Sequence, residues 1–152
     1  FKGKVRRSMA ECKADLKKQD EIYSGVTNYY KQVIRSAQEL GYTETKLGRR
    51  RHLSDINSRE YSLRSSAERQ GFNFLIQGDV ADIMKCIMIR IGKELPEVDM
   101  LMQIHDEVVL ECPKELVDSI VPKLKSIMET TFTFSIPFLA DVKYGMSWAD
   151  AK

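Results

Sequence analysis

The sequence Met-Leu-Met-Gln-Ile-His-Asp-Glu-Val-Val-Leu-Glu-Cys occupies residues 100–112. Two short apolar runs flank the polar residues His105, Asp106 and Glu107. Runs of this length are too short for helices, so they predict a buried β-hairpin with adjacent acids at its tip. Neighbouring carboxylates beside apolar walls repel each other, and a divalent cation relieves that repulsion. The alternative interpretation of Asp106 is an ordinary turn residue exposed to water.

Helical periodicity precedes and follows this hairpin. Residues 58–95 predict a helical region, with a break at Gly78 as an open alternative. Its latter part carries a wide apolar stripe, formed by Val80, Ile83, Met84, Ile87, Ile91 and Leu95, and such a stripe is typical of a buried helix face. After the hairpin, residues 113–131 predict another helix that contains Pro122, and residues 136–144 predict a last strand.

The first third of the chain predicts helices and a second hairpin. Apolar residues recur at helical spacing through residues 1–40, with a break expected at Ser24-Gly25. Gly41 stands where a left-handed residue commonly ends a helix, and residues 42–53 predict a short hairpin with a basic second strand. Antiparallel strands with packed helices define an α+β fold. The absence of repeats or linkers predicts a single piece over residues 1–152.

Composition excludes several classes of protein. The chain is 43% hydrophobic and 30% charged, which is ordinary for a globular domain. Its three cysteines form no C-x-x-C pair, so neither a disulfide framework nor a zinc site is indicated. No apolar run reaches membrane-spanning length and no leader-like segment opens the sequence. We therefore expect a soluble, cytoplasmic protein without a membrane partner.

Charge is divided unevenly along the chain. Residues 1–69 contain 16 Lys/Arg and 9 Asp/Glu, whereas residues 70–152 contain 8 Lys/Arg and 13 Asp/Glu. The net charges of these two parts are therefore +7 and −5. A basic part can bind phosphates and an acidic part can hold divalent cations, which suits an enzyme of nucleic acid. Ordinary variation along a solvated surface is the alternative interpretation.

Five sequence blocks occur in the order found in one known family. They are Gly41-Tyr42-Thr43-Glu44-Thr45 with Leu47-Gly48-Arg49-Arg50-Arg51, Asp55-Ile56, Glu68-Arg69 through Lys85, Gln103-Ile104-His105-Asp106-Glu107, and Ile136 through Val142 with Trp148. These blocks resemble family A DNA polymerases of the bacterial DNA polymerase I type. The resemblance implies the C-terminal palm and fingers part of a polymerase domain, with an antiparallel palm sheet.

The resemblance also implies roles for individual residues. In the family, the Asp of the H-D-E tip binds the active-site metals, so Asp106 and Glu107 become the expected catalytic residues and ligands of Mg²⁺. Four further side chains are expected to contact template and primer, namely Arg69, Asn73, Gln77 and His105. The Gln and His would address minor-groove acceptors that all base pairs present in similar places. Without the resemblance, a polar helix face and a stabilised turn are the alternatives.

Three consecutive arginines, Arg49, Arg50 and Arg51, form the basic strand of the first hairpin. Arginine binds phosphate oxygens through paired donors, and three in a row predict contacts with the DNA backbone. A solvated strand without a ligand is the alternative.

Two motifs of the family are absent from this sequence. One is the D-Y-S-x-I-E-L-R strand that carries the first catalytic Asp, and the other is the fingers helix that binds the triphosphate. We therefore expect part of a nucleotidyltransferase of DNA replication and repair, which acts on primer-template DNA and deoxynucleoside triphosphates. Its expected partner is the remaining N-terminal part of the polymerase, in the same or a separate chain. The isolated chain is expected to be inactive. A non-catalytic duplex-DNA-binding fragment is the alternative function.

Overall fold

A computed structural model describes residues 7–151. The helices are α1 (Met9–Ile22), α2 (Ser24–Leu40), α3 (Tyr61–Glu94) and α4 (Val117–Thr130). The strands are β1 (Tyr42–Glu44), β2 (Arg50–His52), β3 (Asp99–Ile104) and β4 (Glu107–Glu111), and a short 3-10 helix at Lys114–Leu116 precedes α4. The strands form two separate antiparallel pairs, β1 with β2 and β3 with β4. The predicted α+β class is confirmed.

The chain divides into two compact units. The first comprises Phe1–Leu75 and the second comprises Ile76–Lys152. The division falls within α3, so each unit receives part of that helix. The prediction that residues 1–152 form a single piece stays a prediction.

The first unit begins with two consecutive helices. Ser8 caps α1: its hydroxyl accepts from the Glu11 N–H at 3.2 Å, and Glu11 Oε2 accepts from the Ser8 N–H at 2.7 Å. The hydrogen bond from the Ser8 backbone N–H favours the ionised carboxylate and lowers the pKa of Glu11. The break between α1 and α2 lies at Tyr23, one residue before the predicted Ser24-Gly25. The predicted helical region 1–40 is confirmed from Met9, and its first six residues lie outside the described part.

A small core joins α2, the first hairpin and α3 in this unit. Its buried residues are Ala37, Leu53, Ile56 and Ala67. Gly41 ends α2 with a left-handed backbone, φ 78°, as predicted. The predicted hairpin is also confirmed, with Thr43 of β1 directly opposite Arg51 of β2. Leu53 follows β2, and its backbone N–H donates to the Gly41 carbonyl at 2.9 Å.

The hairpin packs closely against α3 at Gly71. A Cβ atom at Gly71 would lie 2.7 Å from Leu53 Cδ1 and 3.3 Å from Thr43 Cγ2. The first of these distances is too short for a real carbon contact. The absence of a side chain at position 71 therefore allows the hairpin to approach the helix.

The long helix α3 runs without interruption through Gly78, so no break occurs there. A single glycine costs a helix only about 1 kcal/mol, and packing offsets that cost because Gly78 is itself buried. The predicted apolar stripe is buried from Ile83 through Leu95, while Val80 at its edge is partly exposed. In the described part of the chain, no helix combines the length and apolarity needed to cross a membrane.

The core of the second unit forms between this stripe, α4 and one face of the second hairpin. Its buried members are Ile83, Met84, Ile87, Ile91, Leu95, Ile120 and Ile127. Met100, Val108 and Leu110 of the hairpin pack against it. The prediction of a buried hairpin is wrong for the other face, where Met102 is 43% exposed, and for Leu101, which is 53% exposed and lies at a register shift between the strands. Successive strand residues point to opposite faces, and the core covers one face only.

The C-terminal segment follows α4 and is irregular. The predicted strand over residues 136–144 is wrong, since no strand of the described residues pairs with it. Pro137 has no N–H to donate to a ladder, and the Ala140 N–H donates instead to Glu129 Oε1 at 3.1 Å. Without a neighbouring edge, an extended segment lacks the hydrogen bonds that define a strand. The predicted helix over residues 113–131 is confirmed as the 3-10 turn and α4, which contains Pro122.

Candidate functional site

The second hairpin holds its acidic residues at a two-residue loop. Ile104 pairs with Glu107 and Gln103 pairs with Val108, so His105 and Asp106 form the connection. The two strands are held in place because one face of the hairpin packs on the core of the second unit. His105, Asp106 and Glu107 are all exposed at the end of this anchored element.

The backbone of the loop is unusual at His105. Its φ is 55°, and among residues 7–151 it is the one non-glycine residue with a positive φ. The sequence has no glycine, asparagine or proline at this turn, so a histidine takes the left-handed position. Gln103 Nε2 donates a hydrogen bond to the His105 carbonyl oxygen at 2.5 Å. The Gln103 side chain of β3 thereby restrains the backbone of the loop.

The chemistry available at the tip is that of two adjacent carboxylates. Across the described residues 7–151, neither the Asp106 nor the Glu107 carboxylate makes a hydrogen bond or an ion pair. Carboxylate oxygens are the ligand type that Mg²⁺ prefers. Within the same residues, no group of three or more His, Cys, Asp or Glu could hold a metal ion. The hairpin therefore presents two adjacent carboxylates of a type suited to a divalent cation.

Three polar side chains predicted to contact DNA lie on α3. Arg69 and Asn73 are exposed in the first unit, and Gln77 is exposed in the second. Arg69 Nη1 donates to Ser65 Oγ at 2.6 Å, which restrains its guanidinium along the helix. In the second unit, no hydrogen bond joins the side chains of Gln77 and His105 in the described part of the chain. Exposure leaves all of these groups available to a ligand.

The arginines of the first hairpin differ in their surroundings. Arg50 forms an ion pair with Glu44 across the strands, and its guanidinium carbon lies 4.6 Å from the centroid of the Tyr42 ring. The hydrogen bond to Glu44 raises the pKa of Arg50 above its ordinary value. The Arg49 backbone N–H donates to Thr45 Oγ1 at 3.1 Å, which closes the loop between the strands. Both arginines are exposed.

Arg51 reaches α3 instead of remaining within its hairpin. Its Nη2 donates to Gln70 Oε1 at 2.7 Å, and its guanidinium carbon lies 5.9 Å from the Phe74 ring centroid. Gln70 and Phe74 were not among the predicted site residues. The sequence did offer a signal for them, because Gln70 and Phe74 are four residues apart and each follows a predicted site residue, Arg69 or Asn73.

Comparison with known proteins identifies the family. The sequence matches the family described as DNA polymerase family A over residues 2–150. The chain therefore belongs to DNA polymerase family A.

Individual relatives agree with this assignment. The chain is 42% identical over 149 residues to DNA polymerase I of Streptococcus pneumoniae serotype 4, covering 95% of this chain and 17% of that protein. It is 40% identical over 136 residues to DNA polymerase I of Bacillus caldotenax, covering 87% of this chain and 16% of the relative. It is also 35% identical over 144 residues to the thermostable DNA polymerase I of Thermus aquaticus, with 93% and 17% covered.

A solved structure shares the fold. The POL domain of Pol1 from M. smegmatis, in complex with DNA primer-template and dNTP, superimposes with a TM-score of 0.90 at 32% sequence identity. The match covers 95% of this chain and 26% of that chain. The chain thus spans about a quarter of the solved polymerase chain and about a sixth of the curated relatives.

Proposed function

We propose that this chain forms part of a template-directed DNA polymerase that adds deoxynucleotides to a primer 3′ end by two-metal phosphoryl transfer. The observation that carries the proposal is the pair Asp106 and Glu107, exposed at the tip of an anchored hairpin in a family A chain. The neighbour from M. smegmatis was solved with primer-template and dNTP, which supports the same ligands for this chain. The cytoplasmic location stays a prediction.

Asp106 and Glu107 would supply oxygen ligands to Mg²⁺. Their residue types fit a hard divalent cation, although the described residues provide no third acidic, histidine or cysteine ligand nearby. Bound there, Mg²⁺ would supply activation of the attacking hydroxyl and neutralisation of charge on the transferring phosphoryl group. The role of the hairpin is to hold the Asp106 carboxylate at a fixed point, because its paired arms and buried face leave little freedom. Glu107 contributes negative charge at the edge of that point.

The polar residues of α3 and the hairpin loop would contact the primer-template. We assign Arg69 and Asn73 to the template and primer, and Gln77 and His105 to minor-groove acceptors. Those acceptors lie in nearly the same place in every Watson–Crick pair, so the contacts test pair geometry without reading sequence. The exposure of all four side chains supports this assignment.

The basic edge of the first hairpin, Arg49, Arg50 and Arg51, would lie beside backbone phosphates, with Arg49 and Arg50 as the expected phosphate contacts. Such contacts supply affinity and register without sequence information. The Glu44 partner of Arg50 reduces the local net charge.

A non-catalytic DNA-binding fragment is the second candidate function. The observation that favours it is the absence of a metal-binding cluster of three or more side chains among residues 7–151. Two-metal catalysis requires carboxylates from more than one strand. We therefore expect no primer extension from the chain alone, and extension only together with the rest of a polymerase, in the same or a separate chain.

A chimeric enzyme tests the proposal. The matching segment of S. pneumoniae DNA polymerase I would be replaced by this chain, and primer extension with Mg²⁺ would be measured beside DNA affinity and thermal unfolding. We expect extension by the chimera and none by the chimera carrying Asp106→Asn. A folded chimera that binds primer-template but extends it equally well with or without the Asp106 carboxylate would exclude the catalytic assignment and favour the binding fragment.

A further inference from the structure

The guanidinium of Arg51 bridges two residues on successive turns of α3. It donates to Gln70 Oε1 at 2.7 Å and lies over the Phe74 ring, with 5.9 Å between the guanidinium carbon and the ring centroid. Gln70 in turn donates from Nε2 to Ser66 Oγ at 3.1 Å. The side chain of Arg51 is therefore the start of a chain of contacts that runs along the helix surface.

The side of the first hairpin that carries Arg51 also packs closely against the backbone of α3. Leu53, two residues after Arg51, is buried and lies so near Gly71 that a Cβ there would be 2.7 Å from Leu53 Cδ1. Residues two apart in extended chain point to the same side. Arg51 and Leu53 thus hold the hairpin to α3 together, one by polar and aromatic contacts and the other by close packing.

The partners of Arg51 adjoin the residues proposed to contact DNA. Arg69 and Asn73 each precede one of these partners by a single position, so the two pairs form rows about 100° apart around the axis of α3. Arg69 is itself restrained by a 2.6 Å hydrogen bond to Ser65. A movement of the helix surface at Gln70 would therefore displace the row that carries Arg69 and Asn73.

We propose that Arg51 is a positioning residue, which fixes the α3 surface bearing Arg69 and Asn73 for DNA instead of contacting a phosphate itself. This rests on the proposed function, because it concerns the affinity of that surface for primer-template. Arg50 provides the contrast: its guanidinium contacts Tyr42 and Glu44 within the hairpin.

Substitution by lysine separates positioning from charge. Lysine keeps the positive charge needed by a phosphate but loses the planar fork and its stacking. We expect Arg51→Lys to weaken binding of the chain to primer-template on the order of tenfold, measured by fluorescence anisotropy. The slope of log affinity against log salt should stay unchanged, because the number of neutralised phosphates is the same. The matched control, Arg35→Lys, should change affinity by less than about twofold, since Arg35 is an exposed residue of α2 that pairs with Glu39, and exposed charges contribute little.

A double-mutant cycle supplies the second readout. If Arg51 acts through Gln70, the losses from Arg51→Lys and Gln70→Ala should not add, whereas a direct phosphate contact should be independent of Gln70. Thermal unfolding of each variant excludes a general loss of fold. Gln70→Ala alone should reproduce most of the loss, so the test does not depend on one substitution.

NMR of the chain without DNA makes the outcomes distinguishable. The Arg51 Nε–Hε resonance should shift in Phe74→Leu, because the aromatic ring lies beside the guanidinium. If that shift is found but the unmodified chain shows no affinity for primer-template, both the proposed function and this inference are wrong. If the chain binds, and Arg51→Ala lowers the salt slope by about 0.9 without coupling to Gln70, Arg51 is a phosphate contact and only this inference is overturned.

Discussion

His105 adopts a left-handed backbone, φ 55°, immediately before Asp106 in the two-residue loop of the β3–β4 hairpin. For a residue with a side chain, this conformation costs roughly 1–2 kcal/mol relative to ordinary helical or extended backbone. The paired arms and the Gln103 side chain hold it in place. The direction in which the Asp106 carboxylate leaves the sheet is consequently set by the strand register.

Replacing His105 by glycine should separate stability from function. Glycine adopts positive φ freely, so we expect the free energy of unfolding of His105→Gly to stay unchanged or rise by up to about 1 kcal/mol. Primer extension by the chimera should fall, because the imidazole proposed for the minor groove is lost. Chemical denaturation and steady-state extension measure the two effects. His52→Ala, which removes the other histidine of the chain, should preserve extension. A marked loss of stability in His105→Gly would contradict the left-handed assignment.

Removing the charge of Asp106 should abolish most of the catalytic rate. In the chimera, Asp106→Asn should slow single-turnover extension on the order of a hundredfold or more, because a neutral amide is a poor ligand for Mg²⁺. DNA affinity should remain nearly intact. Glu107→Gln should cost less, since this residue lies at the edge of the proposed site. An ordinary turn would tolerate asparagine as well as aspartate, so near-normal turnover in Asp106→Asn would refute the metal-ligand assignment.

The Arg49 side chain should account for part of the salt dependence of DNA binding. Each phosphate neutralised contributes a slope of roughly −0.9 in log affinity against log salt, so Arg49→Ala should flatten the slope by about that amount. Anisotropy titrations from low to moderate KCl measure it. Arg35→Ala is the matched control, because Arg35 is an exposed arginine of α2 that pairs with Glu39. Equal slopes for both variants would mean that Arg49 faces solvent in the complex.

Gly71 and Gly92 offer a direct test of the packing between hairpin and helix. Both lie in α3, but a Cβ at Gly71 collides with Leu53 whereas a Cβ at Gly92 meets nothing within 4 Å. We expect Gly71→Val to lower the free energy of unfolding by about 1–3 kcal/mol. Gly92→Val should leave it unchanged or slightly higher, because valine is no worse than glycine in a helix. Equal effects at the two sites would show that the first hairpin moves away from α3 at little cost in free energy.

The elements that the sequence predicted well are those determined by local pattern. The stripe from Ile83 to Leu95 repeats with the helical period, and that period alone identifies the buried face of α3. Gly41 is likewise a local signal, since a left-handed residue after a helix favours glycine. The position of Asp106 at a hairpin tip followed from two apolar runs and a polar interval between them.

The features that the sequence did not predict depend on contacts between distant residues. Ile136 to Tyr144 has apolar residues suited to a strand, but strand formation requires a neighbouring edge, and the described residues provide none. Arg51 is the same residue type as Arg50 and adjoins it in the sequence, yet its partner Gln70 lies 19 positions away. Only the packing of the hairpin on α3 distinguishes the two arginines. The roles assigned to the site residues stay predictions.

The contact between Gly71 and Leu53 should also be visible in evolution. Since a side chain at position 71 would occupy space now filled by the Leu53 methyl group, a lineage that acquires alanine or serine there gains most by shortening residue 53. Across the polymerases of this family, the side-chain volumes at the two aligned positions should therefore vary inversely, so that their sum stays nearly constant. Two positions 18 residues apart in the chain would then show correlated substitutions.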